Sequence, residues 1–345
     1  MEKLKIEKLL KKVKKGQNVL LENRGGILKV SSSTDEMAIT ASVPSEDGNE
    51  FSTVIDGRYM CDVLSLCDDS EDVKLTPEKE GLRMECGSVS VFFGKKREAV
   101  KTVPELSGNE IEITDKKMKE KMLGVMHAAS DSPSDAPLLR SVNISGSPDN
   151  VSVTALDGKR VSRRCGNEND NAFSISVFAG DARAICSLMC DDGRLFVSDR
   201  LLTYRDSDTA AACRIVDGTY YNVAEIRSKI KSAYEFIVDR GRLLSLVRLS
   251  AIAGSDVTVK VNEGSNIRIE SRSASMDTDG SIPVSSVGTL PNTSFRLSSQ
   301  YLLQAVSSLD GDEVKVSFFV STSPVVLSVE GDSTQEEIMM PMILQ

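Results

Sequence analysis

A helix, an acidic turn and a strand recur three times along this chain. The three copies are RYMCDVLSLCDDSEDVKL (58–75), ARAICSLMCDDGRLFV (182–197) and QYLLQAVSSLDGDEVKV (300–316). Their leucines Leu66, Leu188 and Leu309 lie 122 and 121 residues apart, which is the length of a domain rather than of a solenoid repeat. The sequence therefore predicts one domain present three times, and a function built on that symmetry.

A second helical pattern stands at the head of each predicted domain, in residues 3–15, 115–129 and 239–251. Each segment places apolar side chains at the three- and four-residue spacing of an amphipathic helix. Asp115 and Asp239 begin two of these segments and are typical N-cap residues, because an aspartate carboxylate accepts hydrogen bonds from the first amides of a helix. Two helices are therefore expected in each repeat.

The remainder of each repeat is typical of antiparallel strands. Runs such as NVLLENR (18–24) and DVTVKV (256–261) alternate apolar and polar residues. The polar stretches 131–137 and 163–172 indicate loops, and the segment 273–288, which is low in apolar residues, is expected to be mobile. The predicted fold class is therefore α+β, with two helices packed on antiparallel sheet in each repeat. The predicted domains are residues 1–108, 109–230 and 231–345.

Positive charge is concentrated in the three head segments of an acidic protein. They contain fourteen basic and four acidic residues, a net charge of +10, whereas the whole chain carries −9. One lysine-rich helix face ordinarily indicates no more than solvation. Three equivalent basic helices about a common axis would instead form one positive surface, which binds phosphate backbones without reading sequence. Nucleic acid is therefore the expected partner, and the acidic exterior would suppress unspecific binding elsewhere.

Residue types that catalyse reactions or hold metals are few in this chain. The seven cysteines form no C-x-x-C pair and His127 is the only histidine, so neither a metal site nor a cofactor is expected. His127 lies in the second head segment and is expected to face solvent or the nucleic acid. The acidic pairs in CDDS (67–70) and CDDG (190–193) fall in helix–strand turns, where solvation is the simpler interpretation. The chain is therefore not expected to be an enzyme.

The hydropathy pattern indicates a soluble protein. Apolar runs fall short of the roughly 20 residues that span a bilayer. The segment MEKLKIEKLLKKVKKG (1–16) lacks the continuous apolar stretch of a secretory signal. The scattered cysteines are typical of reduced, buried thiols. A cytoplasmic location is therefore expected.

Three segments resemble the bacterial DNA polymerase III beta subunit, the sliding clamp family. SVTALDGKRVS (152–162) is similar to the A-T-D-G-H-R-L segment of the family's middle domain, and IMMPMILQ (338–345) resembles its V-V-M-P-M-R-L ending. SSQYLLQAVSSLDGDEVKVSF (298–318) is similar to the family's last-domain helix and the strand after it. The resemblance covers essentially the whole chain, with Leu156 where threonine is usual and Ile343 where arginine is usual.

The resemblance implies a head-to-tail homodimer that closes a six-domain ring, with the helices lining the hole and the sheets outside. Double-stranded DNA would pass through the ring without sequence-specific contacts, and the family needs no cofactor. The implied dimer interface includes Val89, Val91 and Ile252. The implied DNA-facing cations are Lys8, Lys11, Lys12, Lys15, Lys116, Lys117, Lys121, Arg240 and Arg242.

The resemblance also implies a hydrophobic pocket between the middle and last domains. In the family this pocket binds short linear peptides of DNA polymerase, the clamp loader and repair proteins. Methionine and aliphatic side chains suit it because they adapt to several partners. The implied pocket residues are Leu139, Leu156, Gly158, Lys159, Arg160, Val161, Tyr221, Ile226, Tyr301, Thr322, Met339, Met340, Pro341 and Met342. Without the resemblance, the methionine-rich end would be interpreted as the end of a core strand.

The sequence as a whole predicts a DNA sliding clamp, a processivity factor that holds a polymerase on DNA by topology rather than by chemistry. The alternative is a protein-interaction scaffold that keeps the clamp fold but does not act on DNA. The two hypotheses differ in whether the cations of the head helices matter for replication.

Overall fold

The structure is a computed structural model that describes residues 6–7, 10, 18–45, 48–148, 150–166, 171–262, 265–286 and 288–342. The chain forms two compact units. The first unit draws on Met1–Thr114 and Gly180–Ile215, and the second on Asp115–Ala179 and Val216–Gln345. The middle repeat therefore contributes to both units. The three domain boundaries given above remain a prediction.

The regular elements are numbered here in chain order. The strands are β1 (Asn18–Arg24), β2 (Ile27–Ser33), β3 (Met37–Pro44), β4 (Phe51–Asp56), β5 (Val73–Glu78), β6 (Gly81–Cys86), β7 (Val89–Gly94), β8 (Ile111–Ile113), β9 (Ser141–Ser147), β10 (Asn150–Leu156), β11 (Arg160–Gly166), β12 (Phe173–Phe178), β13 (Arg194–Val197), β14 (Leu201–Arg205), β15 (Thr209–Arg214), β16 (Tyr234–Asp239), β17 (Asp256–Val261), β18 (Asn266–Arg272), β19 (Asp277–Ser286), β20 (Thr293–Ser298), β21 (Glu313–Phe318), β22 (Val325–Val329) and β23 (Asp332–Met339). The helices are α1 (Gly57–Leu64), α2 (Met118–Val125), α3 (Ala179–Leu188), α4 (Val223–Lys229), α5 (Arg240–Ala253) and α6 (Ser299–Ser308), and 3-10 turns lie at Met126–Ala128 and Pro137–Arg140.

The first unit contains an eight-stranded sheet in the order β4-β1-β2-β3-β15-β14-β13-β8 and a three-stranded sheet β5-β6-β7. Strand β3, from the first repeat, pairs with β15, from the second, in antiparallel register from Ala41 opposite Thr209 to Met37 opposite Cys213. Edge-to-edge pairing of this kind satisfies backbone groups that an isolated sheet would leave open. The two repeats therefore share one continuous sheet.

The second unit contains a single twelve-stranded sheet in the order β12-β9-β10-β11-β23-β22-β21-β16-β19-β18-β17-β20. Its centre is the antiparallel pairing of β11 with β23, which sets Arg160 opposite Met339 and Arg164 opposite Gln335. Strand β11 belongs to the second repeat and β23 to the third. The same edge-to-edge joint that links the first two repeats therefore also links the last two.

Two polar stretches, predicted as a loop (163–172) and as a mobile segment (273–288), are partly strands. Residues 163–166 complete β11, and residues 277–286 form the ten-residue strand β19 between β16 and β18. Both segments lack a clear apolar alternation, but each pairs with strands on both sides. Hydrogen bonding to neighbouring strands thus overrides the weak local pattern.

The three repeated helices, α1, α3 and α6, are each followed by a turn and then by a strand, as the repeat predicted. The first of them ends at Leu64 rather than at Leu66. The backbone N–H of Leu66 hydrogen-bonds to the carbonyl of Val63 in the closing turn, and the Leu66 side chain is 84% exposed. Leu64, which is fully buried, is therefore the first helix's core residue at this end.

The head helices differ in how closely they follow the prediction. Asp239 caps α5 as expected, since its carboxylate accepts a hydrogen bond from the backbone N–H of Arg242 at 2.7 Å. The second head helix begins later than predicted, at Met118, because Asp115 forms a turn of its own with the N–H of Lys117 at 2.8 Å. Of residues 3–15 the structure describes Ile6, Glu7 and Leu10, which are helical, and the side chains of Ile6 and Leu10 are buried.

An aromatic cluster lies at the centre of the second unit's largest core. The ring of Phe318 lies 5.5 Å from that of Phe295, 5.6 Å from that of Tyr234 and 6.2 Å from that of Phe236. Phe318 is fully buried at the end of β21, whereas the next residue, Phe319, is partly exposed. Aromatic pairs at these distances add to the stabilisation that area burial provides.

Replacing Phe318 by alanine should destabilise the second unit strongly. We expect Phe318→Ala to lower the free energy of unfolding by about 3–5 kcal/mol, because it removes buried area and leaves a cavity. The neighbouring Phe319→Ala should change it by less than about 1 kcal/mol. Urea unfolding of the two variants compares them directly, and shifts of equal size would contradict this description of the core.

Candidate functional site

The DGKR segment forms a tight turn between β10 and β11. The Asp157 carboxylate accepts hydrogen bonds from the backbone N–H groups of Lys159 and Arg160 at 2.9 and 3.0 Å. Gly158 has φ +86°, a left-handed conformation that a side chain would strain. Asp-Gly is a typical pair for such a hairpin turn. The local sequence therefore fixes the turn and leaves the Lys159 side chain exposed.

Arg160 connects this turn to helix α6. Its guanidinium carbon lies 3.9 Å from the ring centroid of Tyr301, and the guanidinium donates hydrogen bonds to Asp157, at 2.9 Å, and to Gln304. A cation over an aromatic face is favourable when both groups are shielded from water. Burial and the charge of Asp157 raise the pKa of Tyr301, while Arg160 lowers it. The predicted pocket residues Arg160 and Tyr301 are therefore in direct contact.

A small apolar cluster lies beside this turn and is called here the pocket cluster. Two of its members, Leu156 and Val161, were predicted from the sequence, and Leu139, also predicted, packs against it. The full set of buried members is Leu156, Val161, Val223, Val326 and Ile338. The partly buried Tyr220 and Ile230 also pack against it. The implied pocket residues did not include these last two, nor Val223, Val326 and Ile338, because only the folded chain brings these separate strands, loops and helix together.

The chain's methionine-rich end divides between the core and the surface. Met339 is 2% exposed and belongs to the main core of the second unit, so it does not line the pocket cluster. Pro341 is buried, whereas Met340 and Met342 are 49% and 45% exposed. The backbone N–H of Met340 donates to the carbonyl of Lys159 at 2.9 Å. The exposed Met340 is thus held beside the DGKR turn.

Three other predicted pocket residues lie at the surface. Tyr221 and Ile226 are partly exposed, and the Tyr221 ring packs edge-on against Tyr220 with centroids 5.6 Å apart. Thr322 and Met342 line an open groove of about 600 Å³ on the second unit. The same groove is lined by charged side chains, among them Arg296, whose carbonyl accepts a hydrogen bond from the N–H of Met342 at 2.7 Å.

Tyr220 is a polar residue of this site that the motif did not indicate. Its hydroxyl oxygen is buried against the backbone of Leu156 without a hydrogen bond of normal geometry to any described residue. Burial raises the pKa of Tyr220, so the hydroxyl stays protonated at neutral pH. It remains able to donate a hydrogen bond.

The predicted DNA-facing cations fall into three groups. Lys116, Lys117 and Arg242 are exposed. Lys121 and Arg240 are engaged within the protein, as described next. The remaining four, Lys8, Lys11, Lys12 and Lys15, lie outside the described residues.

Lys121 and Arg240 both make internal contacts. The Lys121 ammonium lies 2.8 Å from the Asp115 carboxylate, and their side chains are only 12% and 4% exposed. The Arg240 guanidinium donates to the carbonyls of Val306 and Ser307, at 3.0 and 3.1 Å, at the end of α6. A cation there satisfies carbonyls that a helix leaves open and complements its dipole. Both residues therefore have structural contacts in addition to any role on DNA.

The predicted interface residues lie on an edge strand and on a helix end. Val89 and Val91 are half-buried on β7, the edge of the three-stranded sheet in the first unit, and Phe92 beside them is exposed. In the second unit Ile252 is 74% exposed near the end of α5, and Leu249 one turn earlier is also exposed. Each unit thus presents apolar side chains to solvent at the predicted positions.

The described part of the chain lacks both a cluster of metal-ligating side chains and a membrane-spanning helix. The described side chains include no group of three or more histidine, cysteine, aspartate or glutamate residues placed to hold a metal ion. Within the same residues, helices long and apolar enough to cross a membrane are absent.

Comparison with known proteins connects these surfaces to one class of protein. Residues 231–343 match the family described as DNA polymerase III beta subunit, C-terminal domain. The chain is 22% identical over 338 residues to the beta sliding clamp of Staphylococcus aureus, covering 90% of this chain and 87% of that protein. The Staphylococcus epidermidis beta sliding clamp is 23% identical over 337 residues, with the same coverage.

Solved structures of sliding clamps have the same fold. The Pseudomonas aeruginosa DNA polymerase sliding clamp matches with a TM-score of 0.89 at 16% identity, over 100% of this chain and 99% of that one. The Bacillus subtilis clamp matches with a TM-score of 0.90 at 16% identity, over 100% and 98%. The Helicobacter pylori beta clamp, solved with a DNA ligase peptide, matches with a TM-score of 0.87 at 15% identity, over 100% and 99%.

The fold is therefore that of a DNA clamp, and the predicted α+β clamp architecture is confirmed. In sequence, residues 231–343 match the DNA polymerase III beta subunit, C-terminal domain, and the chain as a whole is similar to beta sliding clamps at 22% and 23% identity.

Proposed function

We propose that this protein is a DNA sliding clamp, a non-enzymatic processivity factor for a replicative DNA polymerase. The observation that carries the proposal is the match of the whole chain to sliding clamps, with a TM-score of 0.89 over 100% of its residues. Two chains, each contributing three domains with the predicted boundaries, would close a ring around double-stranded DNA. The protein would act in the cytoplasm, where bacterial replication takes place.

Exposed cations on the head helices support the proposed contact with DNA. Lys116 and Lys117 precede α2, and Arg242 lies in the first turn of α5. Long, solvated cations at exposed positions bind phosphates through counterion release and carry no sequence information. Such contacts hold the duplex loosely, which suits a ring that slides. The four basic residues of the first segment, Lys8, Lys11, Lys12 and Lys15, are proposed to act in the same way.

The proposed partner site is the surface formed by the DGKR turn, the pocket cluster and the exposed Met340 and Met342. The Helicobacter pylori clamp was solved with a DNA ligase peptide, and we propose that this chain binds peptides of that kind, including those of polymerase, clamp loader and repair proteins. Methionine side chains adapt their shape to different apolar partners.

Ring closure predicts a specific behaviour on DNA. We expect the protein to run as a dimer of twice its 37.4 kDa chain mass. After loading it should stay on nicked circular DNA and leave when the circle is cut, because topology rather than affinity retains it. Light scattering and gel filtration of loaded plasmid, before and after linearisation, measure both properties. A monomer at micromolar concentration, or retention on linear DNA, would contradict the ring.

The peptide site predicts a position-dependent effect of a new charge. We expect Met340→Asp to weaken binding of a labelled DNA ligase peptide at least tenfold, about 1.4 kcal/mol, because a carboxylate in an apolar groove loses solvation when the peptide covers it. Met276→Asp, at a methionine of similar exposure outside the site, is the matched control. Fluorescence anisotropy measures the affinity, and light scattering should show that both variants remain dimers. Equal affinity of the two variants would remove the pocket assignment.

The DNA face predicts a change in salt dependence. We expect Lys116→Glu combined with Lys117→Glu to shorten the products of polymerase in the presence of the loaded clamp. If each lysine makes one phosphate contact, the slope of log affinity against log salt for DNA should fall by about two per chain. Lys95→Glu combined with Lys96→Glu, an exposed adjacent pair outside the head helices, makes the same charge change. Equal processivity of the two double variants would instead favour a scaffold that does not act on DNA.

A further inference from the structure

Five polar side chains form a buried network on the second unit, called here the Glu337 network. One Glu337 carboxylate oxygen lies 2.8 Å from the Arg164 guanidinium and accepts hydrogen bonds from the hydroxyls of Ser162 and Ser308 at 2.7 and 2.9 Å. The other oxygen lies 3.1 Å from Nε2 of His127. The side chains of Glu337, Arg164 and His127 are 3%, 6% and 14% exposed. The chain's single histidine therefore faces neither solvent nor a DNA channel, contrary to the expectation from the sequence.

The network draws one residue or two from each of four elements. His127 lies on the 3-10 turn after α2, Ser162 and Arg164 on β11, Ser308 at the end of α6, and Glu337 on β23. Arg164 also donates to the carbonyl and hydroxyl of Ser308, at 3.0 and 2.9 Å. The network thus joins the second repeat to the third through side chains, where β11 and β23 join them through the backbone.

A glycine in helix α2 leaves room for the side chain of Arg164. A Cβ at Gly124 would lie 3.1 Å from Nε of Arg164, tighter than ordinary contact. Glycine lowers helix stability relative to alanine, so its presence in the last turn of a short helix needs a reason. The close passage of Arg164 supplies that reason.

The alternation of side chains along β23 connects the Glu337 network to the proposed partner site. Successive residues of a strand face opposite sides of the sheet. Glu337 and Met339 therefore share the side of the main core, while Glu336 and Ile338 share the other, and Met340 follows directly after the strand. Ile338 lies in the pocket cluster, and Glu336 pairs with Arg227 of α4. A slip of β23 by one residue would exchange these two sides.

A buried carboxylate specifies this register more sharply than apolar residues can. Valine, isoleucine and methionine substitute for one another in a core at small cost. An ionised carboxylate moved away from its partners would leave both its own charge and that of Arg164 buried and unpaired, which is strongly destabilising. Polar groups that fix a register in this way are known from coiled coils.

We propose that Glu337 is a positioning residue for the partner site: held by the Glu337 network, it fixes the register of β23 and thereby the place of Ile338, Met340 and Met342. The part of this inference that concerns peptides rests on the proposed function. The part that concerns the position of the chain end does not.

Hydrogen exchange tests the position of the chain end without any ligand. The backbone amides of Met340 and Met342 are hydrogen-bonded to carbonyls of the DGKR turn and of β20. In Glu337→Gln, which keeps the shape but removes the charge, these amides should exchange at least about tenfold faster. Glu313→Gln, an exposed glutamate on β21, is the control and should leave them unchanged. Unchanged exchange in Glu337→Gln would overturn the inference.

A second variant separates positioning from stability. The triple change His127→Leu, Arg164→Met and Glu337→Leu removes every charge of the network together, so no ion is left unpaired, and apolar replacements of buried ion networks often fold stably. We expect it to melt near the wild-type temperature and still to show the faster exchange. Wild-type exchange in a stable triple variant would show that the network does not set the position.

The same variants, titrated with a labelled DNA ligase peptide, test the link to partners. We expect Glu337→Gln and the triple variant to bind at least about tenfold more weakly than wild type, with unchanged dimer mass. If wild type itself does not bind the peptide while exchange responds as expected, the proposed peptide function fails and the positioning role stands. If wild type binds and both variants bind equally well, the inference is wrong.

Discussion

The pairing of β11 with β23 is the contact on which the second unit depends. Its four-strand and eight-strand portions come from different repeats, and this one ladder makes them a single sheet. It also sets Val161 opposite Ile338, so that the pocket cluster is formed by both repeats together. Without the ladder, the DGKR turn and the methionine-rich end would have no fixed relation. The proposed partner site is therefore formed by the way two repeats join, rather than by either repeat alone.

The basic residues of the head helices either make contacts within the protein or remain exposed to a ligand, and the sequence does not distinguish the two cases. Lys121 and Arg240 belong to basic helices by sequence, yet one is paired with Asp115 and the other completes the end of α6. Shielded contacts of this kind are hardly screened by salt, whereas exposed cations such as Lys116 are. Counting lysines and arginines along a helix thus overstates the charge available to a ligand. Only the exposed lysines and arginines should be counted when the charge that a ligand meets is compared.

Much of the fold could be predicted because the repeat is local in the sequence. The helix, turn and strand of each copy depend on neighbouring residues, and the cap of α5 depends on Asp239 alone. The loop predicted over 163–172 was partly wrong for the opposite reason. Arg163 and Arg164 form part of a strand because β10 and β23 pair with them, and Arg164 is neutralised by Glu337, 173 positions later in the chain. No local pattern carries that information.

In the candidate site, too, features set by neighbouring residues could be predicted and features set by distant residues could not. The DGKR turn was found because aspartate and glycine impose its shape locally, whereas Val223 and Val326 could not be found because only the folded sheet and α4 bring them to Leu156. The resemblance grouped Met339 with Met340 and Met342, because it carries no information on which side of the strand each residue faces. The structure places Met339 in the core and leaves Met340 and Met342 exposed. Because they are exposed at the end of a strand anchored by backbone hydrogen bonds, these two methionines are the residues of the chain end that a peptide could contact directly in the proposed partner site.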